Sequence, residues 1–106
     1  MSIQSPFRYQ YEHVAVSQTA QVLGGTGEIG DYIHRLICTV TTAATGNVVL
    51  VDGTGVGILT HTVLPASCGT GINVYNIEIN AASTTGAWKV TTGAGVEVMA
   101  VGIFSA

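Results

Sequence analysis

The stretch that decides the fold is INVYNIEI, residues 72–79, in which the side chains alternate in character. On an extended chain the odd-numbered residues, three of which are large and apolar, face one way, and the even-numbered residues face the other. Residues 96–104, VEVMAVGIF, alternate with the same period of two. Val, Ile and Tyr suit a pleated, half-buried surface and lose rotamer freedom in a helix. Both segments are therefore predicted to be β-strands.

Similar strand patterns, separated by turns, cover most of the remaining chain. Residues 34–41 alternate, which places His34 on the same face as Cys38. Short β-branched runs occur at 47–51, 56–64 and 88–92. Glycine-containing turn signals recur about every 8 to 12 residues, the spacing of a sandwich or barrel. Because 106 residues fit one domain, the predicted fold class is all-β: a single small β-sandwich of seven or eight strands, jelly-roll-like.

The N-terminal segment differs from the rest of the chain. Residues 1–12 are predicted to form an extended N-terminal arm and residues 13–106 the β-sandwich domain. Phe7, Tyr9 and Tyr11 share one face if the segment is extended. Two interpretations remain open: the segment is the first strand of the sandwich, or it is an arm that adds to a neighbouring subunit by strand pairing. Under the second, the predicted partner-binding residues are Phe7, Arg8, Tyr9 and Tyr11, since large aromatic side chains anchor contacts well.

The composition excludes several classes of protein. Charged residues make up 8% of the chain, against about 25% in an average soluble domain. Arg8, Arg35 and Lys89 are the only lysines and arginines, and the net charge is −3, so a nucleic-acid partner is not expected. The apolar content of 47% argues against disorder. The longest uncharged stretch, 53–77, contains Pro65 and several glycines, so neither a membrane-spanning helix nor a membrane partner is expected.

One stretch has the pattern of a dinucleotide-binding loop. Residues 25–30, GTGEIG, satisfy G-x-G-x-x-G, and residues 22–30 resemble the glycine loop of short-chain dehydrogenase relatives. That loop requires a buried strand before it and a helix after it. Here the preceding residues 17–21 are polar, and the following residues 37–42, ICTVTT, are β-branched. The chain is also too short for the sheet of such a domain, so no cofactor is expected.

Catalytic and metal sites are not expected either. His34 and Cys38 lie about 13 Å apart along one strand, too far to share an ion, and no C-x-x-C, H-x-H or H-E-x-x-H pattern is present. There is no G-x-S-x-G element, so the chain is not predicted to be an enzyme.

Asp31 and Asp52 adjoin glycines, which favours turn or capping roles. Cys38 and Cys68 are expected to be reduced and buried, with a disulfide as the alternative.

The low charge points to a class of function. A surface of this composition offers little repulsion against contact with copies or with a larger partner, which favours a structural or assembly protein. Residues 30–38, GDYIHRLIC, and the segment from 86 to the terminus FSA resemble the small decoration or cement proteins of tailed-bacteriophage heads. The resemblance implies a β-sandwich, made in the host cytoplasm, that forms a homotrimer on the capsid exterior of the virion. There it would bind the major capsid protein and stabilise the shell by bridging capsomers.

An alternative function is a receptor- or carbohydrate-binding β-sandwich module of a phage fibre. Trp88 and Tyr75 would then stack on a sugar ring. The competing interpretation of Trp88 is core packing, because its neighbours Ala87 and Val90 are apolar.

Overall fold

The computed structural model describes residues 9–41, 46–53, 60–65 and 73–105, and these residues form strands and turns without a helix. No segment in these ranges is therefore a helix long and apolar enough to cross a membrane. The eight strands are β1 Gln10–Val14, β2 Gln21–Val22, β3 Tyr32–Val40, β4 Val48–Asp52, β5 Thr60–Leu64, β6 Asn73–Ala82, β7 Trp88–Thr92 and β8 Val96–Ile103.

The strands make two antiparallel sheets of four strands each. Sheet A has the order β1-β8-β3-β6, and sheet B has the order β2-β7-β4-β5. The buried apolar side chains of both sheets join in a single core. The prediction of an all-β sandwich is confirmed at this level, as are the strands predicted at 34–41, 72–79, 88–92 and 96–104.

The core lies between the inner faces of the two sheets. In sheet A, Leu36, Cys38 and Val98 are at most 1% exposed, and in sheet B Leu50 and Val90 are equally buried. Tyr75, Ile77 and Ile79 of the edge strand β6 pack against this core and are partly buried. The face predicted for the odd-numbered residues of 72–79 is therefore the inner face.

A bulge in β3 changes the predicted facing of one residue. The register of β3 shifts between Ile33 and Arg35 against both of its neighbours. Against β8, two residues of β3 stand where one would continue the alternation, whereas against β6 the extra residue lies on β6, between Glu78 and Ala81. Ile33 and Leu36 are both buried, whereas His34 lies 4.7 Å (ring centroids) from the half-exposed Tyr9. The prediction that His34 shares the face of Cys38 is therefore wrong.

Gly102 lets β8 pass close to β3 at this bulge. It pairs in register with Ile33 and with Gln10. A Cβ atom at this position would collide with the carbonyl oxygen of Tyr32 and with the Cα atom of Ile33. The absence of a side chain is therefore required here by close backbone approach.

Candidate functional site

The largest candidate surface is the outer face of sheet A, the side turned away from the core. Two rows of in-register residues cross it. Tyr11, Val101, Arg35 and Glu78 form one row, and His13, Met99, Ile37 and Asn76 form the next. Its apolar side chains come from all four strands and from the residue before β1; they are Tyr9, Tyr11, Ile37, Val74, Met99, Val101 and Ile103.

Several of these apolar side chains are open to solvent. Tyr11 is 73% exposed, Val74 64%, Tyr9 46% and Met99 37%. The outer face of a solvated antiparallel sheet normally carries polar side chains opposite its apolar inner face. A group of exposed apolar residues on one face is instead typical of an interaction surface.

Aromatic rings gather at one end of this face. The Tyr9 ring stacks on the Tyr32 ring at 6.3 Å between centroids with an interplanar angle of 17°. The Tyr32 hydroxyl donates a hydrogen bond to the Asn80 side-chain oxygen at 3.1 Å. Tyr9, Tyr32 and Ile103 also line an open cavity of about 450 Å³ together with Gly30 and Ala82. This end therefore offers a concave apolar surface with few polar groups.

The charged side chains of the outer face are of both signs. Arg35 stands opposite Glu78 in the register of β3 and β6, and its Nε donates to His34 Nδ1 at 2.8 Å. His13 Nε2 lies 3.1 Å from Glu97 Oε1, and both side chains are exposed. No block of one sign forms on this face within the described residues.

The predicted partner-binding residues divide between described and undescribed segments. Tyr9 and Tyr11 lie on the outer face of sheet A, so the prediction that they share a face is confirmed. Phe7 and Arg8 lie outside the described residues. Residues 10–12, the end of the predicted arm, belong to β1 and pair with β8.

Sequence reasoning missed the part of this face that β3, β6 and β8 contribute. Ile37, Val74, Met99 and Val101 all lie on it. A usable signal existed, because residues 96–103 are apolar at nearly every position, including those facing away from the core. Strands covered on both sides have this composition.

The glycine motif of residues 25–30 forms part of the loop between β2 and β3, and β3 follows it as predicted. Several of its amides, and that of Gly24, are bound to acceptors within the chain. Thr26 N and Gly27 N donate to Ser105 O at 3.2 and 3.1 Å, and Gly24 N donates to Glu12 Oε1 at 2.8 Å. A phosphate-binding loop needs such amides at a helix N-terminus, directed at the ligand. In this segment the same groups hold the loop to β1 and to the residues after β8.

Asp31, only 7% exposed, fastens three segments at one end of the sandwich. Its carboxylate accepts hydrogen bonds from Glu28 N at 3.0 Å, from Ser105 N at 3.0 Å and from Ser105 Oγ at 2.7 Å. Its carbonyl oxygen accepts from Trp88 Nε1 at 2.8 Å. The predicted capping role is confirmed, and Trp88 is a core residue that is 4% exposed.

Asp52, 5% exposed, caps the turn that precedes β7. Its carboxylate accepts from Thr84 N at 2.9 Å, from Thr84 Oγ1 at 2.7 Å and from Thr85 N at 3.1 Å. Burial by itself raises the pKa of Asp52, but the hydrogen bonds from Thr84 and Thr85 outweigh that effect and lower its pKa below the ordinary value of 3.8. The predicted turn role of Asp52 is confirmed.

The candidate metal ligands do not converge where the structure describes them. His13, His34 and His61 lie on β1, β3 and β5. Among the described residues, no three His, Cys, Asp or Glu side chains come together in a group that could hold an ion. Cys38 is buried in β3, and Cys68 lies outside the described residues, so their predicted redox state stays a prediction.

Comparison with known proteins adds no relative: no protein-family model, curated protein or solved structure matches this chain. The functional inference rests on the residues themselves. Of the features described above, the exposed apolar outer face of sheet A is the one that a fold alone does not explain.

Proposed function

We propose that this protein is a virion structural protein that binds the outside of a phage head as a homotrimer and stabilises the capsid by bridging capsomers. The major capsid protein is its partner, and it is made in the host cytoplasm before joining the capsid exterior. The observation that carries the proposal is the apolar outer face of sheet A, where Tyr11 and Val74 are mostly exposed. The sequence resemblance to decoration proteins supplies the identity of the assembly.

The distribution of charge supports a protein made for permanent contact. Of the six acidic residues, Glu12, Asp31 and Asp52 accept hydrogen bonds from the chain and hold its loops. Few charged side chains therefore remain exposed at the surface to keep subunits apart. A low surface charge together with exposed apolar side chains favours association with other subunits over the monomeric state.

The strand pairing supports the jelly-roll assignment. The first strand pairs with the eighth, the second with the seventh, the third with the sixth and the fourth with the fifth. This pairing is the one expected when an eight-stranded chain folds back on itself and wraps into two sheets as a jelly roll. Viral capsid and lectin domains use this architecture, which agrees with a structural role but does not by itself define one.

The predicted anchors to the capsid are Phe7, Arg8, Tyr9 and Tyr11, at the start of the chain. Tyr9 and Tyr11 border the outer face of sheet A on the β1 side. A protein that binds only the expanded shell stabilises that shell by mass action. Three copies held together multiply weak contacts into tight attachment, because the second and third contacts become intramolecular.

The test is binding to purified, expanded heads that lack the protein. We expect the wild-type protein to cosediment with heads and to raise their temperature of disruption. The combined replacement of Phe7, Arg8, Tyr9 and Tyr11 by Ala should reduce occupancy at least about tenfold while the domain stays folded, since aromatic and Arg anchors dominate interface energies. Ile29→Ala, at a 67% exposed loop position, is the matched control and should bind as the wild type does. Equal occupancy of the quadruple variant would refute the anchors, and failure of the wild type to bind heads would refute the function.

The fibre-module alternative requires two aromatic rings that a sugar can reach, and the structure does not place them so. Trp88 is buried, with its Nε1 bonded to Asp31 O, and Tyr75 packs against the core. Neither ring is placed on an outer surface where a sugar could stack. The observed positions therefore do not favour that alternative.

A further inference from the structure

We infer that a second copy of this chain covers the outer face of sheet A. The inference rests on the oligomeric part of the proposed function and deepens it, because it names the surface through which the copies associate. The capsid contact proposed for the N-terminal residues borders this face on the β1 side and leaves β8 and β3, its two central strands, to a neighbouring subunit.

The first support is the composition of β8. Val98 and Ala100 face the core and are at most 1% exposed. Met99 and Val101 face outward, in register with Ile37 and Arg35 of β3. A strand of a two-layer sandwich needs apolar side chains on its inner side only, whereas strands covered on both sides are apolar throughout. From Val98 to Ile103 β8 has the second composition, with Glu97 beside His13 as the charged exception at its start, which indicates a further layer over sheet A.

The second support is the size of the surface. The four strands β1, β3, β6 and β8 have 5, 9, 10 and 8 residues, and at about 3.4 Å per residue and about 4.8 Å per strand they make a face of about 500 Å². Covering it with an equal area of a neighbouring copy buries about 1,000 Å² in total, the level at which specific protein interfaces begin. The face is therefore large enough for a subunit contact.

The third support is charge, which also selects the occupant. Arg35 stands opposite Glu78 in register, and His13 lies beside Glu97. Within the described residues Arg35 is the one Lys or Arg on this face, so it lacks the cluster of cations that a nucleic acid or an anionic lipid surface requires. A copy of this chain brings the same balanced set and meets no block of like charge.

The test is the mass of the pure protein in solution, measured by size-exclusion chromatography with light scattering over a micromolar to millimolar range. We expect the wild type to be an oligomer. Met99→Glu places a charge at the centre of the face, and Val74→Glu places one at a 64% exposed position on the edge strand β6. Each should raise the dissociation constant at least about 30-fold, because a carboxylate would be buried without a partner. Thr62→Glu, exposed on β5 of sheet B, is the matched control and should leave the mass unchanged.

Folding of each variant is checked by circular dichroism and thermal melting. The wild type supplies a readout that depends on no variant: oxidation of Met99 by peroxide, followed by mass spectrometry, should slow at least about tenfold between dilute and concentrated protein. A wild type that remains monomeric, folded variants that keep the wild-type mass, or Met99 oxidation independent of concentration would each overturn the inference. An oligomer that passes these tests but ignores phage heads would refute the proposed function and leave the subunit contact in place.

Discussion

The inner and outer faces of sheet A both carry large apolar side chains, but those side chains have different surroundings. Leu36 and Val98 on the inner face have no solvent contact beyond 1%, while Met99 and Val74 on the outer face are 37% and 64% exposed. The inner face has sheet B opposite it, and its ends are closed by buried carboxylates whose hydrogen bonds are made within the chain. The difference teaches that the alternation of residues identifies a strand without saying which of its faces is the core. It also identifies the outer face as the one whose apolar side chains stay exposed in the single subunit.

The largest expected effect is a difference in the loss of stability between substitutions at two adjacent residues of β3. Leu36→Ala removes a fully buried side chain and should lower the free energy of unfolding by about 2–5 kcal/mol, since it leaves a cavity. Ile37→Ala, on the outer face of the same strand, should lower the stability of the isolated subunit by less than about 1 kcal/mol. Urea denaturation of both variants, made in the Val74→Glu background to limit association, checks this. Equal losses at the two positions would remove the distinction between the faces.

The next effect concerns the closure of the inner face at Asp31. Asp31→Ala leaves the part-buried N–H donors of Ser105 and Glu28 without their acceptor, and the free energy of unfolding should fall by about 1–3 kcal/mol, because an unsatisfied donor costs its desolvation. Glu28→Gln, at an exposed acid of the same loop, serves as control and should change the midpoint of urea denaturation very little. A stable Asp31→Ala protein would show that this end of the inner face needs no such closure.

A pH titration of stability tests the closure of the inner face at Asp52. Because the pKa of Asp52 is lowered in the folded state, its carboxylate contributes stability that is fully present above the ordinary value of 3.8 and is lost as the pH falls through the folded pKa. Asp52→Asn should lower the free energy of unfolding at neutral pH by about 1–3 kcal/mol. It should also flatten the decline of stability in acid. Denaturation curves collected from pH 7 down to pH 2 measure both effects, and an unchanged acid slope in the variant would contradict the role given to Asp52.

The smallest expected effect on the fold lies at Val101. Val101→Thr keeps the shape of the side chain on the outer face and should change the stability of the subunit by no more than about 0.5 kcal/mol. Val98→Thr, three residues earlier on the inner face, should lower the free energy of unfolding by about 1–3 kcal/mol, because the new hydroxyl would be buried among apolar side chains. If Val101→Thr weakens association while Val98→Thr mainly weakens folding, the two faces differ as described. The reverse result would exchange their roles.

Much of the fold could be predicted from local pattern, because strands and turns depend on near neighbours in the chain. The strand at 96–103 and the shared face of Tyr75 and Ile77 followed from alternation. The bulge at His34 could not be predicted, since it depends on how β3 fits β8 and β6 rather than on its own residues. The hydrogen bonds between Asp31 and Ser105 join residues 74 positions apart, and a local sequence pattern does not predict such a pair.

The candidate site could be predicted only in its aromatic part. Tyr9 and Tyr11 were recognisable because they are large, closely spaced and set in a polar segment. The continuation of the site over Ile37 and Met99 comes from cross-strand register, which joins segments that are distant in sequence. An edge strand and an extended arm have the same residue pattern. The pattern therefore predicts an arm that includes residues 10–12, whereas in the structure these residues lie in β1.

The central place of β8 in sheet A bears on how the chain is made. β1 and β3 do not pair with each other, and β8 lies between them. During synthesis sheet A therefore cannot close until β8 has left the ribosome, and until then β1 has no neighbour in the sheet and β3 pairs on one side only. Nascent chains that stop before residue 96 lack the strand that joins the sheet. A cell that makes this protein in quantity must keep such fragments from aggregating or degrade them.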